Sequence, residues 1–330
     1  MQHRRDFLRV LSLGGAAMVF PLGLNAYFPM DKEKKSLRFG LCTDVHKDIM
    51  HDADQRLQAF VDEAKEQELD FIIQLGDFCR PYDYNLEFMS IWNSFPGKKY
   101  HVIGNHDMDG GFSREEVVKY WDIPGKYYSF DMKGFHFVIL DGNDKDSSPD
   151  RPGGYARYMG REQLEWLEKD LEQSQLPVVV FSHQGLDNDL GGIHNATSTR
   201  LVLERANERA GFQKVQLVFS GHHHQDYYNR INGIHYLQIN SMSYQWLGEK
   251  HLQVRYSEEV DEKYPWIKYT VPYKDPLWAV AEISPEHHFR LLGRQSEFVG
   301  PTPEEMGVDK QVYGYPIVPW ISDKEFTLKS

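Results

Sequence analysis

Five short apolar runs in this sequence each end in side chains that could bind a divalent metal ion. The candidate ligands, in chain order, are Asp44 and His46, Asp77, Asn105 and His106, His183, and His222 and His224. Imidazole nitrogens combined with carboxylate and amide oxygens suit borderline ions such as Mn, Fe, Zn or Co better than they suit Ca. The sequence therefore predicts a metal site built from five separate places in the chain.

The spacing within two of these clusters indicates how paired side chains could reach one site. Asp44 and His46 are separated by one residue, as are His222 and His224. Alternate residues of an extended segment point to the same side, so both side chains of each pair could reach the site. The carboxylate of Asp77 could bridge two ions through its two oxygens. Two ions about 3.5–4 Å apart can hold both the attacking and the leaving oxygens of a phosphoryl displacement, and their charge complements a phosphodiester or phosphomonoester.

Each cluster also has an ordinary structural interpretation when it is considered alone. Asp44 or Asp77 could be a turn or capping residue, and His183 could be a hydrogen-bonded core histidine. The histidines at 222–224 could lie in a solvated loop. The placement of all five clusters at successive strand ends favours a shared site, because unrelated residues would scatter over loops and helix surfaces.

Alternating strands and helices are predicted to position these clusters. Apolar runs predict strands at 36–43, 69–75, 100–103, 127–130, 135–140, 177–181, 215–219, 234–239 and 277–283. Apolar residues at helical spacing predict helices at 54–69, 86–95, 161–173 and 198–210. This order indicates an α/β fold, in which functional groups gather beyond the carboxyl ends of the strands.

The motifs resemble those of the calcineurin-like metallophosphoesterase superfamily. That pattern is Asp-x-His, Gly-Asp, Gly-Asn-His-Asp/Glu, a lone His, and Gly-His-x-His. This chain carries Asp44-Val45-His46, Gly76-Asp77, Gly104-Asn105-His106-Asp107, His183 and Gly221-His222-His223-His224, in the same order. The style of the motifs is most similar to the bacterial relatives of class III cyclic nucleotide phosphodiesterases. The resemblance implies a four-layer αββα sandwich of two mixed sheets flanked by helices, with the site at one edge.

The resemblance also implies a role for each residue. Asp44, His46, Asp77 and His224 would hold one divalent ion, and Asp77, Asn105, His183 and His222 would hold the other, with Asp77 as the bridge. A metal-activated hydroxide would attack the phosphorus. His106 would protonate the leaving oxygen or stabilise transition-state charge. Asp107 would orient His106 without binding metal.

One position departs from the purple acid phosphatases of this superfamily. Those enzymes carry a tyrosine three residues after the Gly-Asp aspartate and lack a histidine in the first motif, whereas this chain has Arg80 and His46. The resemblance therefore disfavours an Fe(III)-tyrosinate enzyme. Arg80 could contact a substrate phosphate or could be an ordinary surface arginine, and the sequence leaves both open.

A single metallophosphoesterase domain is expected at residues 36–290, followed by a C-terminal tail at 291–330. Within the domain, residues 241–278 are rich in aromatic side chains. These could stack on a nucleobase or pack against a lipid or sugar, or they could simply cover the edge of a sheet. The two cysteines, Cys42 and Cys79, are too few for a disulfide framework and are expected to be buried free thiols.

Residues 1–30 have the pattern of an export signal. The run Arg4-Arg5-Asp6-Phe7-Leu8 resembles the twin-arginine consensus of bacteria, and a weakly apolar run follows it. An uncleaved membrane anchor is the alternative, because that run is just long enough to span a bilayer. The protein is therefore expected in the periplasm or outside the cell, with no stable membrane insertion unless this segment is retained.

Composition limits the class of function. The 330 residues are 41% hydrophobic and 26% charged, as in a soluble globular enzyme, and the formal net charge is −12. An acidic chain without a Lys/Arg stripe disfavours a nuclease or any nucleic-acid partner. The leading hypothesis is a two-metal phosphodiesterase or phosphatase acting on a small, nucleotide-like phosphoester. A catalytically silent metal- or partner-binding protein on the same scaffold is the alternative, and the oligomeric state is left open.

Overall fold

A computed structural model of the chain describes residues 36–149, 151, 153–308 and 311–328. The export segment expected at residues 1–30 lies outside the described residues. Within the described part of the chain, no helix is both long and apolar enough to cross a bilayer.

Strands and helices alternate through most of the chain. The strands are β1 (Leu37–Cys42), β2 (Phe71–Gln74), β3 (Lys98–His101), β4 (Tyr128–Met132), β5 (Phe135–Ile139), β6 (Val178–Phe181), β7 (Val215–Ser220), β8 (Tyr227–Ile231), β9 (Ile234–Gln238), β10 (Tyr244–Trp246), β11 (Thr270–Pro272), β12 (Ala279–Ile283), β13 (His288–Leu292), β14 (Gln311–Val312), β15 (Tyr315–Pro316) and β16 (Lys324–Thr327). The helices are α1 (Ala53–Glu66), α2 (Leu86–Asn93), α3 (Arg114–Trp121), α4 (Arg161–Gln173), α5 (Ala196–Ala210) and α6 (Glu258–Lys263).

Two six-stranded mixed sheets form the centre of the molecule. The first has the strand order β16-β13-β12-β1-β2-β3, in which β1, β2 and β3 are parallel and the other neighbours are antiparallel. The second has the order β4-β5-β6-β7-β9-β8, with β5, β6, β7 and β9 parallel and antiparallel strands at both edges. The short pairs β10-β11 and β14-β15 lie outside these sheets.

Alternating side chains show that the two sheets pack face to face between layers of helices. Phe39 of β1, Phe181 of β6 and Phe219 of β7 share the core between the sheets. Ile72 of β2 points the other way, into a core formed with α1, α2 and α3, and Val180 of β6 packs with α4 and α5. This is the period-two alternation of strands with both faces buried. The predicted four-layer αββα architecture is confirmed.

The segment predicted as a C-terminal tail is part of the domain. The boundary at residue 290 falls inside β13, and β16 pairs with β13 at the edge of the first sheet. Ile321 and Leu328 are buried in the core between the sheets. The prediction of a separate tail at 291–330 was wrong because β16 carries a single large apolar side chain, Phe326, and so lacks a strand signal.

Both cysteines are buried free thiols, as predicted. Cys79 Sγ lies 3.7 Å from Met89 Sδ. Burial raises the pKa of the Cys42 and Cys79 thiols well above the ordinary value. These two residues therefore contribute to the fold as small apolar side chains.

Candidate metal centre

The predicted ligands follow parallel strands at one edge of the two sheets. Asp44 and His46 follow β1, Asp77 follows β2, Asn105 follows β3, His183 follows β6, and His222 and His224 follow β7. The carboxyl ends of parallel strands share an edge, and the two sheets face each other, so these loops meet at one place. The structure thus brings the predicted ligands together.

The loops that carry the ligands turn sharply. Residues with positive φ, between 50° and 73°, include Asp44, His46, Asp77, His222 and His224. The expectation that each pair lies on an extended segment was therefore wrong. The left-handed conformation costs a non-glycine residue about 1–2 kcal/mol, and such strain collects at functional sites. Backbone hydrogen bonds from Asp44 N to Gly76 O (3.0 Å) and from His46 N to Asp77 O (2.9 Å) hold the first loop against the second.

One group of donors consists of Asp44, His46 and His224. The Nε2 atom of His224 lies 3.1 Å from Asp44 Oδ1 and 3.2 Å from His46 Nε2. All three side chains are buried. One carboxylate oxygen and two imidazole nitrogens held this closely are the arrangement expected around a single metal ion.

The second group consists of Asp77, His183 and His222, and Asn105 shares the cavity wall with Asp77 and His222. His183 Nε2 lies 3.2 Å from Asp77 Oδ2. The same Oδ2 atom is 3.6 Å from Nε2 of His46, in the first group. Asp77 therefore stands between the two groups, where a bridging carboxylate would have to be.

Backbone carbonyls orient two of the imidazoles. His183 Nδ1 donates to Leu75 O at 2.8 Å, and His224 Nδ1 donates to Tyr244 O at 2.6 Å. A carbonyl oxygen only accepts, so each Nδ1 carries a proton and Nε2 is the nitrogen that a metal ion would use. Metal-binding histidines are commonly fixed in this way.

Several of the buried atoms that could bind a metal make no contact with hydrogen-bond geometry among the described residues. They include Asn105 Oδ1, and also Asp44 Oδ1 and His183 Nε2, whose near neighbours are other members of the cluster. A buried polar atom without a hydrogen-bond partner destabilises the folded protein by about 1–3 kcal/mol. A cluster of such oxygen and nitrogen atoms therefore indicates a site for a bound cation. Two divalent ions fit this donor set. Asp44, His46, Asp77 and His224 would hold one ion, and Asp77, Asn105, His183 and His222 would hold the other.

Burial and neighbouring charges set the protonation of the cluster. Burial lowers the pKa of His46 to about 3, so this ring is neutral at neutral pH. Burial would raise the pKa of Asp77, but the imidazoles of His183 and His106 hold it well below its usual range. Burial also opposes a proton on His183, yet Asp77 and Asp44 raise its pKa to about 9. Metal uptake must displace that proton, so it is expected to release protons to solvent.

The motif glycines allow the ligand loops to approach closely. A Cβ atom on Gly104 would lie 2.2 Å from both the backbone N and Oδ1 of Asp77. A Cβ atom on Gly76, where φ is +106°, would lie 2.4 Å from Nδ1 of His183. These contacts give the Gly-Asn-His-Asp and Gly-Asp motifs a steric reason for their glycines.

Gly104→Ala is expected to weaken metal binding about 10-fold or more, because the added methyl group must displace Asp77 from between the two donor groups. Titration of chelated protein with Mn or Zn measures this affinity. The matched control is Gly125→Ala, where the added carbon would make only an ordinary contact, 3.5 Å from Tyr127 O. Equal affinities in the two variants would contradict the steric argument.

His106 borders the cavity rather than the buried donor cluster. It opens a single 3₁₀ turn, His106–Met108, and its side chain is 33% exposed. Its Nδ1 atom donates to Asp109 Oδ2 at 2.7 Å. Burial opposes a proton on the ring, but the charges of Asp77 and Asp109 raise the pKa of His106 above its ordinary value. His106 is thus placed to exchange a proton with a molecule in the cavity.

The prediction that Asp107 orients His106 was wrong. The Asp107 carboxylate accepts backbone N–H bonds from Gly104 at 2.8 Å, Asp77 at 3.0 Å and Phe78 at 2.7 Å. The 3₁₀ turn points this side chain back toward the strand ends instead of toward the imidazole. Asp107 therefore holds the loop after β3 against the loop after β2.

A cavity of about 830 Å³ opens over both donor groups. Aromatic side chains from distant parts of the chain line it, namely Tyr155, Tyr244, Trp246, Trp266 and Tyr313. In the aromatic segment 241–278, Trp246 and Trp266 stay about half exposed on this wall, whereas Tyr273 and Trp278 are buried in the core. Stacking on a ligand is therefore open to Trp246 and Trp266, whereas Tyr273 and Trp278 serve to cover the sheet.

Of the candidate residues from the sequence, Arg80 lies on the cavity wall, where its Nη2 atom donates a 3.3 Å hydrogen bond to Asp109. Sequence reasoning missed three other residues that line this cavity, namely Asp109, Tyr155 and Tyr313. Asp109 carried a usable signal, because it comes three residues after His106 and side chains at that spacing eclipse in a 3₁₀ turn. Tyr155 and Tyr313 carried none, since they reach the cavity from loops distant in sequence.

Comparison with known proteins adds an independent finding. The sequence model of the calcineurin-like phosphoesterase family matches residues 37–226. A 3',5'-cyclic-nucleotide phosphodiesterase of Nostoc sp. strain PCC 7120 is 21% identical over 266 residues, which cover 74% of this chain and 91% of that protein.

Solved structures share the fold. A dimetal phosphatase from Danio rerio has a TM-score of 0.58 at 17% identity, covering 82% of this chain and 100% of that one. GAP50, the anchor in the inner membrane complex of Plasmodium, has a TM-score of 0.51 at 16% identity, covering 90% of each chain. At these identities the two structures are evidence for the architecture alone.

Proposed function

Because this chain belongs to the calcineurin-like phosphoesterase family and is a metal-dependent phosphoester hydrolase, we propose that it hydrolyses a small, nucleotide-like phosphodiester or phosphomonoester. One observation carries the proposal. Two groups of metal donors meet at Asp77, and both open into a cavity that also presents His106. Metal donors, a proton donor and room for a substrate are thus combined at a single place.

The side chains around the cavity have separate tasks in this proposal. Bound divalent ions would supply Lewis-acid activation of water and neutralise phosphoryl charge. His106, with Nδ1 taken up by Asp109, would offer Nε2 to the leaving oxygen and donate its proton there. Arg80, on the cavity wall, would bind a phosphoryl oxygen that does not react.

The wall of the cavity favours a substrate with a flat apolar group next to its phosphate. Trp246 and Trp266 are exposed on that wall, and indole rings stack on planar groups such as nucleobases. The name of the Nostoc relative, a cyclic-nucleotide phosphodiesterase, supports the same choice. We therefore favour a nucleotide-like diester over other small phosphoesters.

Two alternatives receive less support. A nuclease would need an extended cationic surface, whereas this chain has a net charge of −12. Among the described residues, the cavity wall carries two arginines, Arg80 and Arg157. The second alternative is a binding protein on the same scaffold, as the name of GAP50, an anchor, suggests for that protein. The complete donor set and the position of His106 favour an enzyme.

We further propose that the protein leaves the cytoplasm by the twin-arginine route. Arg4 and Arg5, followed by Asp6, Phe7 and Leu8, support this. Export in the folded state suits a metalloenzyme, because metal can bind before transport. Cell fractionation of a variant with both arginines replaced by lysine tests the proposal, which fails if that variant is exported normally.

The function is tested with chelated protein reconstituted separately with Mn, Zn, Fe or Co. Each sample is offered p-nitrophenyl phosphate and bis(p-nitrophenyl) phosphate. We expect hydrolysis by reconstituted protein but not by chelated protein, with the diester cleaved faster. Preference for the monoester would contradict the diester assignment. No hydrolysis of either ester by protein carrying two bound ions would contradict the hydrolase assignment.

A further inference from the structure

Asp109 lies at the centre of a hydrogen-bonded cluster on the cavity wall. Its Oδ2 atom accepts from His106 Nδ1 at 2.7 Å and from Arg80 Nη2 at 3.3 Å. Its Oδ1 atom accepts from the hydroxyl group of Tyr155 at 2.9 Å. The same hydroxyl oxygen is 3.2 Å from His106 Nδ1, and the two ring centroids are 4.6 Å apart. Three side chains therefore meet on one carboxylate.

This cluster fixes both the orientation and the tautomer of the imidazole. A carboxylate only accepts hydrogen bonds, so Asp109 keeps a proton on Nδ1 of His106. The proton that the doubly protonated ring gives to a leaving oxygen is then the one on Nε2, and the ring keeps its Nδ1 proton on Asp109 afterwards. Burial would raise the pKa of Asp109, but hydrogen bonds and charge from His106, with help from Tyr155, lower it. The carboxylate is thus ionised at neutral pH, as this arrangement requires. Aspartates that contact the far nitrogen of a reacting imidazole act in this way in other hydrolases.

We propose that Asp109 is the positioning residue for His106, and that Tyr155 holds Asp109 in place from a loop distant in sequence. The inference rests on the proposed function, in which His106 gives its proton to the leaving oxygen. It assigns to Asp109 the role that the motif pattern implied for Asp107.

Tyr155 makes this arrangement depend on the loop at 153–155. Its side chain is exposed to the cavity, and its hydroxyl group donates to Asp109 at 2.9 Å. A shift of this loop would remove one of the donors that orient the carboxylate. Placement of His106 is therefore coupled to a loop that carries no metal ligand.

The test compares esters that differ in the quality of the leaving group. Phenyl phosphate and p-nitrophenyl phosphate form one pair, and diphenyl and bis(p-nitrophenyl) phosphate form the other. A p-nitrophenolate can leave without a proton, whereas phenolate gains from a proton donor. Asp109→Asn is expected to lower kcat about 10- to 100-fold on the phenyl esters, but less than about threefold on the p-nitrophenyl esters. Tyr155→Phe is expected to act in the same direction with a smaller loss.

A purely structural role of Asp109 predicts equal losses on both kinds of ester, and that result would overturn the proposal. The matched control is Asp122→Asn, the same chemical change at an exposed aspartate directly after α3, which should leave both rates unchanged. A wild-type protein that hydrolyses none of the esters would refute the proposed function. The positioning role would then be decided by the following spectroscopic measurement.

Proton NMR of ¹⁵N-labelled protein detects the hydrogen bond between His106 and Asp109 without any need for turnover. A hydrogen-bonded Nδ1–H of His106 should give a downfield resonance, identified by its absence in His106→Asn. In Asp109→Asn this resonance is expected to disappear or to move upfield, because the neutral amide is a weaker acceptor than a carboxylate. A resonance that stays unchanged in Asp109→Asn would overturn the proposal.

Discussion

His106→Asn is expected to lower kcat about 10²- to 10⁴-fold while leaving both metal ions bound. The ring is outside both donor groups, and its Nδ1 atom is taken up by Asp109. The backbone N–H of residue 106 donates to Asp77 Oδ1 at 2.7 Å, and a side-chain substitution leaves that bond in place. Asparagine has a similar reach but no proton to give to a leaving oxygen. Steady-state kinetics and metal analysis of the same preparation measure the two effects.

The informative outcome is the separation of turnover from metal content. If His106→Asn lost as much metal as a ligand variant, His106 would have to be counted among the ligands. If it kept both its metal and its turnover, the leaving oxygen would receive its proton from another group. Asp122→Asn serves as the control for both assays.

Asp77→Asn is expected to remove at least one of the two ions and to abolish measurable hydrolysis. Asp77 Oδ2 faces His183 at 3.2 Å and His46 at 3.6 Å, while Oδ1 accepts from the backbone of His106. An amide carries one oxygen and one NH₂ group. The NH₂ group can neither bind a metal at the Oδ2 position nor accept the His106 N–H at the Oδ1 position. The change also removes a negative charge from between two dications. Metal analysis after dialysis gives the stoichiometry.

Thermal unfolding gives a second measure of the same loss. Added Mn or Zn is expected to raise the Tm of the chelated wild-type protein, because the ions bind the folded state. The rise should be absent or much smaller in Asp77→Asn and complete in His106→Asn. Full occupancy and a full Tm increase in Asp77→Asn would contradict its place between the two donor groups.

The buried architecture and the ligand positions could be predicted from the sequence for a simple reason. Strand β6 is a continuous apolar run, β7 is apolar except for Gln216 and Ser220, and metal-binding residue types come two residues after each strand. Strand ends in parallel sheets share an edge, so strand order alone brings those residues close together. None of this depended on knowing the direction of any single side chain.

Side-chain directions inside the loops could not be predicted in the same way. Whether Asp107 or Asp109 contacts His106 depends on the 3₁₀ turn that begins at His106. The left-handed φ values of Asp44 and His46 could not be predicted either. Backbone angles in tight loops are set by contacts with residues distant in sequence, such as the hydrogen bond from His46 N to Asp77 O. The sequence showed which residues would meet but not which atoms would touch.

Two elements, α3 and β16, were not predicted from the sequence, for different reasons. Helix α3 begins with a capping box, in which Ser113 and Glu116 exchange hydrogen bonds, and that spacing is a recognisable helix start. Strand β16 instead pairs at a sheet edge with alternating exposure. Whether such a segment forms an edge strand depends on the strand it pairs with and not on its own composition.

The position of β1 between β2 and β12 has a consequence for when the metal site can form in the cell. Strand β12 lies roughly 240 residues after β1, which corresponds to about 10–50 s of ribosomal synthesis. During that time one edge of β1, the strand that leads to Asp44 and His46, has no partner, and the donors after β7 are themselves made late. We therefore expect metal uptake to follow translation of β12, so that a chain extended through β12, rather than one that ends before it, competes for the cell's metal supply.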